Sequence, residues 1–316
     1  MKARARLLSI DKIICRNRDS RDAMEMDPQC VPCLIGRVLF EAEEVGGGKS
    51  ARAVCSASRT LGRLFGPGVC SATVATEVHR EVYGILGTKD PYARLKKESN
   101  RVALSLFPGA ERLVNKSKSP LRDAFLCSVV GNVLDFGIST GYDNPTKLRH
   151  EFKNLVAEGL GHDDTEKVKK LLRKSGRVVY LADNCGEIVL DRLALRELRK
   201  FQVDLTLVVK EEPILTDATL KDIKGLGMEK LVDRIVEAPG FAVGIELASL
   251  RGRFGRLLRD ADLIIAKGMA NFESLSETDL APIAYLLRTK CDPVSYAMRL
   301  PKDINAVRLF TRRPPR

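Results

Sequence analysis

A short apolar strand that ends in two adjacent polar residues is the feature that most constrains this chain. Residues 178–182 read Val-Val-Tyr-Leu-Ala, which predicts a buried strand, and Asp183 and Asn184 follow it directly. Gly186 and Glu187 then begin a stretch whose apolar residues recur at helical spacing. In open α/β sheets, ligands bind at the carboxyl ends of strands, where helix N-termini offer free N–H groups. The turn after this strand is therefore the predicted place for chemistry.

The second half of the chain alternates predicted strands with predicted helices, whereas the first half reads as helices alone. The predicted strands are 177–183, 203–209, 233–237, 262–267 and 282–287, and the predicted helices among them are 187–201, 217–225 and 242–250, before a short C-terminal helix and an edge strand. Earlier helices are predicted from about Val31 and over 51–65, 71–86, 91–107 and 118–138, with Pro108 ending the fourth. We therefore predict an α/β protein, in which an all-helical N-terminal domain precedes a three-layer α/β/α sandwich with a mostly parallel sheet.

This pattern divides the chain into four segments. Residues 1–25 are basic and poorly periodic, and we interpret them as a disordered or spurious extension. Residues 26–140 form the predicted helical domain, 141–176 a helical connection, and 177–316 the α/β/α domain that carries the predicted metal and phosphate site.

The composition is that of an ordinary globular protein with an excess of positive charge. Of the 316 residues, 44% are hydrophobic and 30% charged, and no apolar run approaches the roughly 20 residues that span a bilayer. The start of the chain lacks the apolar segment of a signal peptide, so we predict a cytoplasmic protein without a membrane partner. The net charge of +12 would suit nucleic acid or an anionic ligand. Because the basic residues are dispersed and no aromatic residues interleave with them, nucleic acid is disfavoured.

Polar residues also follow two further predicted strands. Lys210 ends the second strand and Asp217 begins the next helix, while Lys267 ends the fourth strand and Asn271 follows it. The carboxyl ends of parallel strands meet at one edge of a sheet, so we expect these residues to converge with the two that follow the first strand. Carboxylate and amide oxygens suit Mg²⁺ or Mn²⁺, and ammonium groups suit phosphate. Metal and ammonium groups together stabilise charge in phosphoryl transfer. Taken alone, each of these residues could instead have a purely structural role. Asp217, for example, could be the N-cap of the helix that it precedes.

Two polar residues interrupt an otherwise apolar helix. Asn132 and Asp135 lie within 118–138, which is predicted to be buried nearly all round, so both need hydrogen-bond partners. A packing role and a role in the site are both open for them. The chain has only three histidines, and their spacing argues against a histidine-based zinc site or a catalytic triad.

Seven short motifs stand out along the chain, and they are Asp183-Asn184-Cys185-Gly186-Glu187 with Asp191, Lys210-Glu211-Glu212-Pro213-Ile214-Leu215-Thr216-Asp217-Ala218-Thr219, Lys267-Gly268-Met269-Ala270-Asn271-Phe272-Glu273, Cys30-Val31-Pro32-Cys33-Leu34, Asp90-Pro91-Tyr92 with Lys96, Gly131-Asn132 with Asp135-Phe136-Gly137, and Lys290-Cys291 with Pro293-Val294. Together these motifs resemble the damage-control phosphatase family, once catalogued as domain of unknown function 89. The resemblance covers Met26 to about Arg308. It implies a metal-dependent phosphatase that hydrolyses phosphate monoesters of small metabolites, such as sugar phosphates or damaged and surplus phosphometabolites.

The resemblance also implies roles for particular residues. Asp183, Asn184 and Asp217 would bind the divalent metal, which could be Mg, Mn, Co or Ni, and Lys267 and Lys210 would face the phosphate. Residues implied to complete the pocket are Gly186, Glu187, Asn271, Asn132 and Asp135. Attack by water and attack by a carboxylate such as Asp183 are both open. Thr216 departs from the family, which often carries Asn there, but it can still make one hydrogen bond.

The family resemblance also bears on a group of cysteines. The C-x-x-C pair of Cys30 and Cys33 marks a subgroup with a predicted extra metal site, and Cys291 could supply a third thiolate. Three thiolates are one short of a closed tetrahedral set, so buried thiols or a disulfide are equally open.

Two other functions compete with the phosphatase. A carboxyl methyltransferase that uses S-adenosylmethionine is the main alternative, because its sandwich is similar and a family relative has been described as such an enzyme. The missing Gly-rich turn after the first strand argues against it. A basic nucleic-acid-binding protein is the third reading.

Overall fold

The structure is a computed structural model that describes residues 24–132 and 145–311, and it is a mixed α/β fold. In chain order the elements are α1 (Cys30–Val45), α2 (Ser50–Leu64), α3 (Ser71–Leu86), α4 (Ala93–Lys116), α5 (Pro120–Gly131), α6 (Pro145–Glu158), β1 (His162–Asp163), α7 (Thr165–Leu172), β2 (Arg177–Leu181), α8 (Glu187–Arg199), β3 (Asp204–Lys210), α9 (Leu220–Ile223), β4 (Arg234–Ala238), α10 (Arg253–Arg259), β5 (Leu263–Lys267), α11 (Gly268–Leu275), β6 (Ile283–Arg288), α12 (Asp292–Met298) and β7 (Asn305–Phe310). No helix in these two ranges combines the length and the apolar character needed to cross a bilayer.

The seven strands form one sheet in the order β1-β7-β6-β5-β2-β3-β4. Every neighbouring pair is parallel except β6 and β7, which confirms the predicted mostly parallel sheet. From β2 the chain moves outward to β3 and β4, and it then returns to the other side of β2 with β5 and β6. The strand order thus reverses between β2 and β5, and such a switch point is where α/β sheets bind ligands.

Both faces of the sheet are buried, as expected of parallel strands. Along β2, Val178 and Tyr180 belong to the core on one face, and Val179 and Leu181 belong to the core on the other. The first core includes residues of α4, α5, α7 and α8, and the second includes residues of α10, α11 and α12. Helices therefore cover the sheet on both sides, which confirms the predicted three layers.

A third core holds α1, α2 and α3 together, and we refer to these three helices as the cap. Leu215 after β3 and Val243 after β4 pack into this core, and α3 also contacts α11. The cap therefore covers the edge at which the parallel strands end. The next helices, α4 and α5, pack instead on α8 within the sandwich, although both fall in the predicted helical domain of residues 26–140.

The remaining differences from the sequence prediction are local. Helix α4 continues through Pro108, where the sequence predicted an end. The α-helix predicted over 242–250 is wrong, because Gly244 has a φ of +63° and only a 3₁₀ turn forms, at Leu247–Arg251. Of the predicted N-terminal extension, Met24 is described and is buried.

Candidate active site

Two loops at the carboxyl edge of the sheet bring the three predicted metal ligands together. Asp183 and Asn184 follow β2, and Asp217 lies in the loop after β3. The loops are joined by a backbone bridge between Asn184 and Asp217, and by the Ala218 N–H, which donates to the Asp183 carbonyl over 2.8 Å. All three side chains are buried, and all three line a cavity of about 240 Å³ between the sheet edge and the cap. This part of the cavity wall therefore combines two acids and an amide.

Hydrogen bonds fix the orientation of this group. The Asn132 amide donates to Asp183 Oδ2 and to Glu187 Oε2, each over 2.9 Å. The Asn184 amide donates to the same Asp183 oxygen over 2.7 Å. Thr216 Oγ1 donates to Asn184 Oδ1 over 2.6 Å, so a threonine at this position makes the hydrogen bond expected of it. Asp183 and Asn184 are thus held in place before any ligand binds.

The glycine that follows strand β5 leaves space for the Asp183 side chain. Gly268 follows this strand with a φ of +75°, and a Cβ built there would overlap the Asp183 carboxylate.

The oxygen donors of Asp183, Asn184 and Asp217 suit a hard divalent cation such as Mg²⁺ or Mn²⁺. Within 24–132 and 145–311, no group of three or more His, Cys, Asp or Glu residues is arranged to hold a metal. A cation here would therefore depend on the Asn184 amide oxygen, and on water, as well as on the carboxylates.

Lys267 lies behind this group rather than in the cavity. Its side chain is fully buried, and its ammonium contacts Glu187, lies 3.2 Å from Asp191 Oδ1 and donates to the Ser128 carbonyl over 3.2 Å. Burial acts to lower the pKa of Lys267, but the Asp191 and Glu187 carboxylates outweigh it and raise that pKa above its usual value. Lys267 therefore stays charged and holds Glu187, which in turn accepts the hydrogen bond from Asn132.

Lys210 occupies an equivalent position behind Asp217. Its Nζ lies 3.3 Å from Asp217 Oδ2 and donates to the carbonyls of Ala242, over 3.1 Å, and Gly244. Like Lys267, it is not among the residues that line the cavity. The sequence predicted that both ammonium groups face a phosphate, whereas the structure places each of them against a carboxylate.

Three other cations line the cavity, and sequence reasoning gave them no role. Lys290 is buried and donates to the Asn132 carbonyl, Arg37 is buried on α1, and Lys302 lies in the loop before β7. Arg37 could have been found as a charged residue between Leu34 and Val38 on the apolar face of a predicted helix. Lys290 stood in one of the family motifs but was not assigned to the site.

Gly186 and Asn271, two further predicted pocket residues, are not among the residues that line the cavity. Gly186, with a φ of +83°, donates its N–H to Asn100 Oδ1 over 2.6 Å. The Asn271 amide donates to the carbonyls of Ala182, over 3.1 Å, and of Lys267, over 2.7 Å. Asp135 lies outside the described residues.

The three cysteines singled out from the sequence line the same cavity. Cys30 and Cys33 are in the first turn of α1, Cys291 precedes α12, and none of the three is part of a disulfide. Burial raises the pKa of Cys30 to about 12 and that of Cys291 to about 11. Both thiols are therefore protonated at neutral pH, and no disulfide joins them. A second metal bound by these residues stays a prediction.

Over most of its length the chain is similar to proteins of one family. Residues 26–303 match the family described as the damage-control phosphatase ARMT1-like domain. The chain is 39% identical over 274 residues to a damage-control phosphatase of Archaeoglobus fulgidus, and this match covers 86% of the chain and 94% of the relative. It is 28% identical over 282 residues to a damage-control phosphatase of Pyrococcus horikoshii, covering 88% and 96% respectively. The crystal structure of a DUF89 family protein from Pyrococcus horikoshii superposes with a TM-score of 0.80 at 27% identity, covering 92% of this chain and 100% of that one.

Proposed function

The chain belongs to the damage-control phosphatase family, and on that premise we propose that it is a metal-dependent phosphatase for phosphate monoesters of small metabolites. The observation that carries the proposal is the convergence of Asp183, Asn184 and Asp217 on one wall of a capped cavity. Pockets for drug-sized ligands hold about 300–1,000 Å³, so a cavity of about 240 Å³ suits a small substrate such as a sugar phosphate.

Asp183, Asn184 and Asp217 are the residues that would hold the divalent metal, whether Mg, Mn, Co or Ni. When bound, the metal supplies positive charge that polarises the phosphoryl oxygens. Asn132 and Thr216 keep the ligand side chains in their binding orientation, so little rearrangement is needed when the cation arrives. Restricting these rotamers in advance favours metal binding because their entropy has already been lost.

We assign the phosphate-facing charge to Lys290 and Arg37 rather than to Lys267 and Lys210. The first two line the cavity, where they can neutralise the charge of a phosphate. Lys267 and Lys210 instead act on the carboxylates, since each ammonium contacts an acid next to the cavity. In this assignment they are positioning residues, which set the geometry of the site without touching the substrate.

A metal titration of phosphatase activity tests the proposed function. After chelation, the wild-type protein should hydrolyse 4-nitrophenyl phosphate or members of a sugar phosphate panel only when Mg²⁺, Mn²⁺, Co²⁺ or Ni²⁺ is restored. Asp183→Asn and Asp217→Asn should each lower the metal-dependent kcat at least about a hundredfold, because each removes a charged ligand. Calorimetric titration with Mn²⁺ should show weaker binding to both variants.

Asp204→Asn is the matched control. Asp204 begins β3 at the opposite edge of the sheet and pairs with Arg234 over 2.6 Å. Asp204→Asn removes a carboxylate from β3, the strand that precedes Asp217, but it should keep the metal-dependent activity. Full metal-dependent activity in Asp183→Asn would overturn the assignment of the site. Failure of the wild type to hydrolyse any phosphate ester with any of the four metals would overturn the function.

A further inference from the structure

The cap side of the cavity contains a buried imidazole for which the phosphatase chemistry above has no use. His79 on α3 and Glu41 on α1 are both fully buried, and His79 Nδ1 lies 3.1 and 3.2 Å from the two carboxylate oxygens of Glu41. The other ring nitrogen, Nε2, is also buried and has no hydrogen-bond partner among the described residues. His79 nevertheless lines the cavity that holds Asp183 and Asp217.

The cavity wall that includes His79 also contains small and apolar side chains. Along α3, Ser71, Ala75 and His79 follow one another at four-residue spacing and line the cavity together. Leu215 and Val243 are also part of the wall, which therefore combines the imidazole with apolar side chains. In such a setting an unpaired buried nitrogen is unfavourable, and a ligand that satisfies it gains affinity and specificity.

We propose that His79 Nε2 binds a hydroxyl group on the leaving-group part of the substrate, and that Glu41 holds the ring in position through Nδ1. This inference rests on the proposed function, since it assumes that the phosphate itself lies beside Asp183 and Asp217. Sugar phosphates, which the proposed function already includes, carry such a hydroxyl group, as do polyol phosphates. His79 is then a specificity-determining residue, and Glu41 is a positioning residue.

The hydrogen-bonding capacity of the pair favours a hydroxyl over other groups. In this proposal the Glu41 carboxylate accepts a hydrogen bond from Nδ1–H. Nε2 is therefore an acceptor in the neutral ring and a donor in the protonated ring. A hydroxyl group can both donate and accept, so it satisfies Nε2 in either state, whereas an apolar or aromatic leaving group satisfies it in neither.

Imidazole NMR on the wild-type protein tests the contact without relying on catalysis. The chain has only three histidines, so protein labelled with ¹⁵N-histidine gives three rings, and the spectrum of His79→Gln identifies the signals of His79. The probes are inorganic phosphate with Mg²⁺, and then the same solution with a hexose, with a hexitol, or with benzene, a ring that has no hydroxyl group. The ¹⁵Nε2 signal of His79 should move with the hexose or the hexitol and stay in place with benzene. An unchanged His79 signal with every polyhydroxylated product would overturn the proposal.

Kinetics on two kinds of ester give the second test. His79→Leu should lower kcat/KM for a hexose phosphate at least about tenfold more than it lowers kcat/KM for phenyl phosphate. His79→Gln should recover part of the difference, because its amide can reach the position of Nε2. Since His79→Leu strands the buried Glu41 carboxylate and could prevent folding, Glu41→Gln/His79→Leu removes that charge and should show the same selectivity change. Equal losses on both substrates would mean that His79 only supports the structure.

His162→Gln is the matched control, and the outcomes separate the two proposals. His162 also pairs with a carboxylate, Asp164 Oδ2 at 3.1 Å, but it is not among the residues that line the cavity, so its variant should keep the wild-type ratio of the two kcat/KM values. If the wild type hydrolyses phenyl phosphate but no polyhydroxylated ester, the inference about His79 fails and the phosphatase stands. If it hydrolyses neither, the proposed function fails, and the NMR experiment still decides whether His79 binds a hydroxyl.

Discussion

At the scale of single residues, Gly268 determines where a predicted metal ligand can lie. Its φ is +75°, and a Cβ at this position would overlap the Asp183 carboxylate. We expect Gly268→Ala to displace Asp183 and to lower the affinity for Mn²⁺ at least about tenfold, as measured by calorimetric titration. The strained backbone and the overlap should also lower the free energy of unfolding by about 1–3 kcal/mol, as measured by urea denaturation.

Gly225 offers a control that separates the overlap from the strain. Its φ is +83°, and a Cβ built there meets no atom within 4 Å. Gly225→Ala should therefore lower the free energy of unfolding by about 1 kcal/mol and leave the affinity for Mn²⁺ unchanged. If Gly268→Ala binds Mn²⁺ as tightly as Gly225→Ala does, Asp183 is not a ligand that Gly268 keeps in place.

The positions of the predicted metal ligands could be inferred from the sequence more accurately than the position of Lys267. Asp183 and Asp217 could be predicted as neighbours, because the carboxyl ends of parallel strands share an edge. Lys267 was predicted to face the cavity, but side chains alternate along a strand. It lies two residues after Ile265, whose side chain packs on the face covered by α5 and α8. The alternation could have been inferred from the sequence. The presence of buried carboxylates on that face could not.

At the scale of elements, helix α4 is notable for continuing through a proline. Pro108 and Gly109 are exposed, while Ala103 and Ala110 on either side of them are buried against the sandwich. Packing of the buried face thus outweighs the hydrogen bond that proline removes. We expect Pro108→Ala to restore that bond and to raise the free energy of unfolding by about 1–3 kcal/mol in urea denaturation.

Gly109→Ala is the matched change for the same turn. No atom lies within 4 Å of a Cβ built on Gly109, so this variant should add about 0.5–1 kcal/mol by reducing the flexibility of the unfolded chain. A lower stability of Pro108→Ala, beside a gain in Gly109→Ala, would instead mean that the proline sets a bend that the packing of α4 requires.

Strands were easier to predict than the segments between them. The central strands β2, β3 and β5 lie within two residues of their predicted ends, because a strand that is buried on both faces is a continuous apolar run. The helix predicted over 242–250 failed for the opposite reason. Val243 packs into the cap core and Ile245 into a sandwich core, so the apolar residues of this segment reflect two separate burial sites rather than one helix face.

At the scale of the whole molecule, the site exists only because distant parts of the chain meet. From the sequence, residues 26–140 are predicted to form one helical domain, because the apolar face of a helix does not indicate which surface it packs against. In the structure, α1 and α3 of the cap line one side of the cavity. Asn132, at the C-terminal end of α5, lines it from the sandwich. His79 and Arg37 could therefore not be assigned to the site before the position of the cap was known. The boundary at residue 140 stays a prediction.

The buried charges behind the site make the stability of the whole molecule depend on pH. Burial, reinforced by the nearby Glu187 carboxylate, raises the pKa of Asp191 from 3.8 to about 6, although Lys267 opposes the shift. Between these two values the folded protein binds more protons than the unfolded chain. The contribution of Asp191 is thus fully present below about pH 4 and is lost as the pH rises through 6, by an amount on the order of 3 kcal/mol.

Asp191→Asn should remove this dependence, because an amide does not titrate. In urea denaturation, the free energy of unfolding of the variant relative to wild type should rise between pH 4 and 7 and then stay constant. Asp262 provides a control of opposite sign, since the backbone N–H groups of Arg177 and Gly176 lower its pKa below 3.8. Its contribution is lost only as the pH falls below that value, so Asp262→Asn should differ from wild type by a constant amount over the same window. A constant difference for Asp191→Asn as well would mean that Lys267 keeps Asp191 ionised at every pH tested, and the buried network would then contribute nothing to the pH dependence of folding.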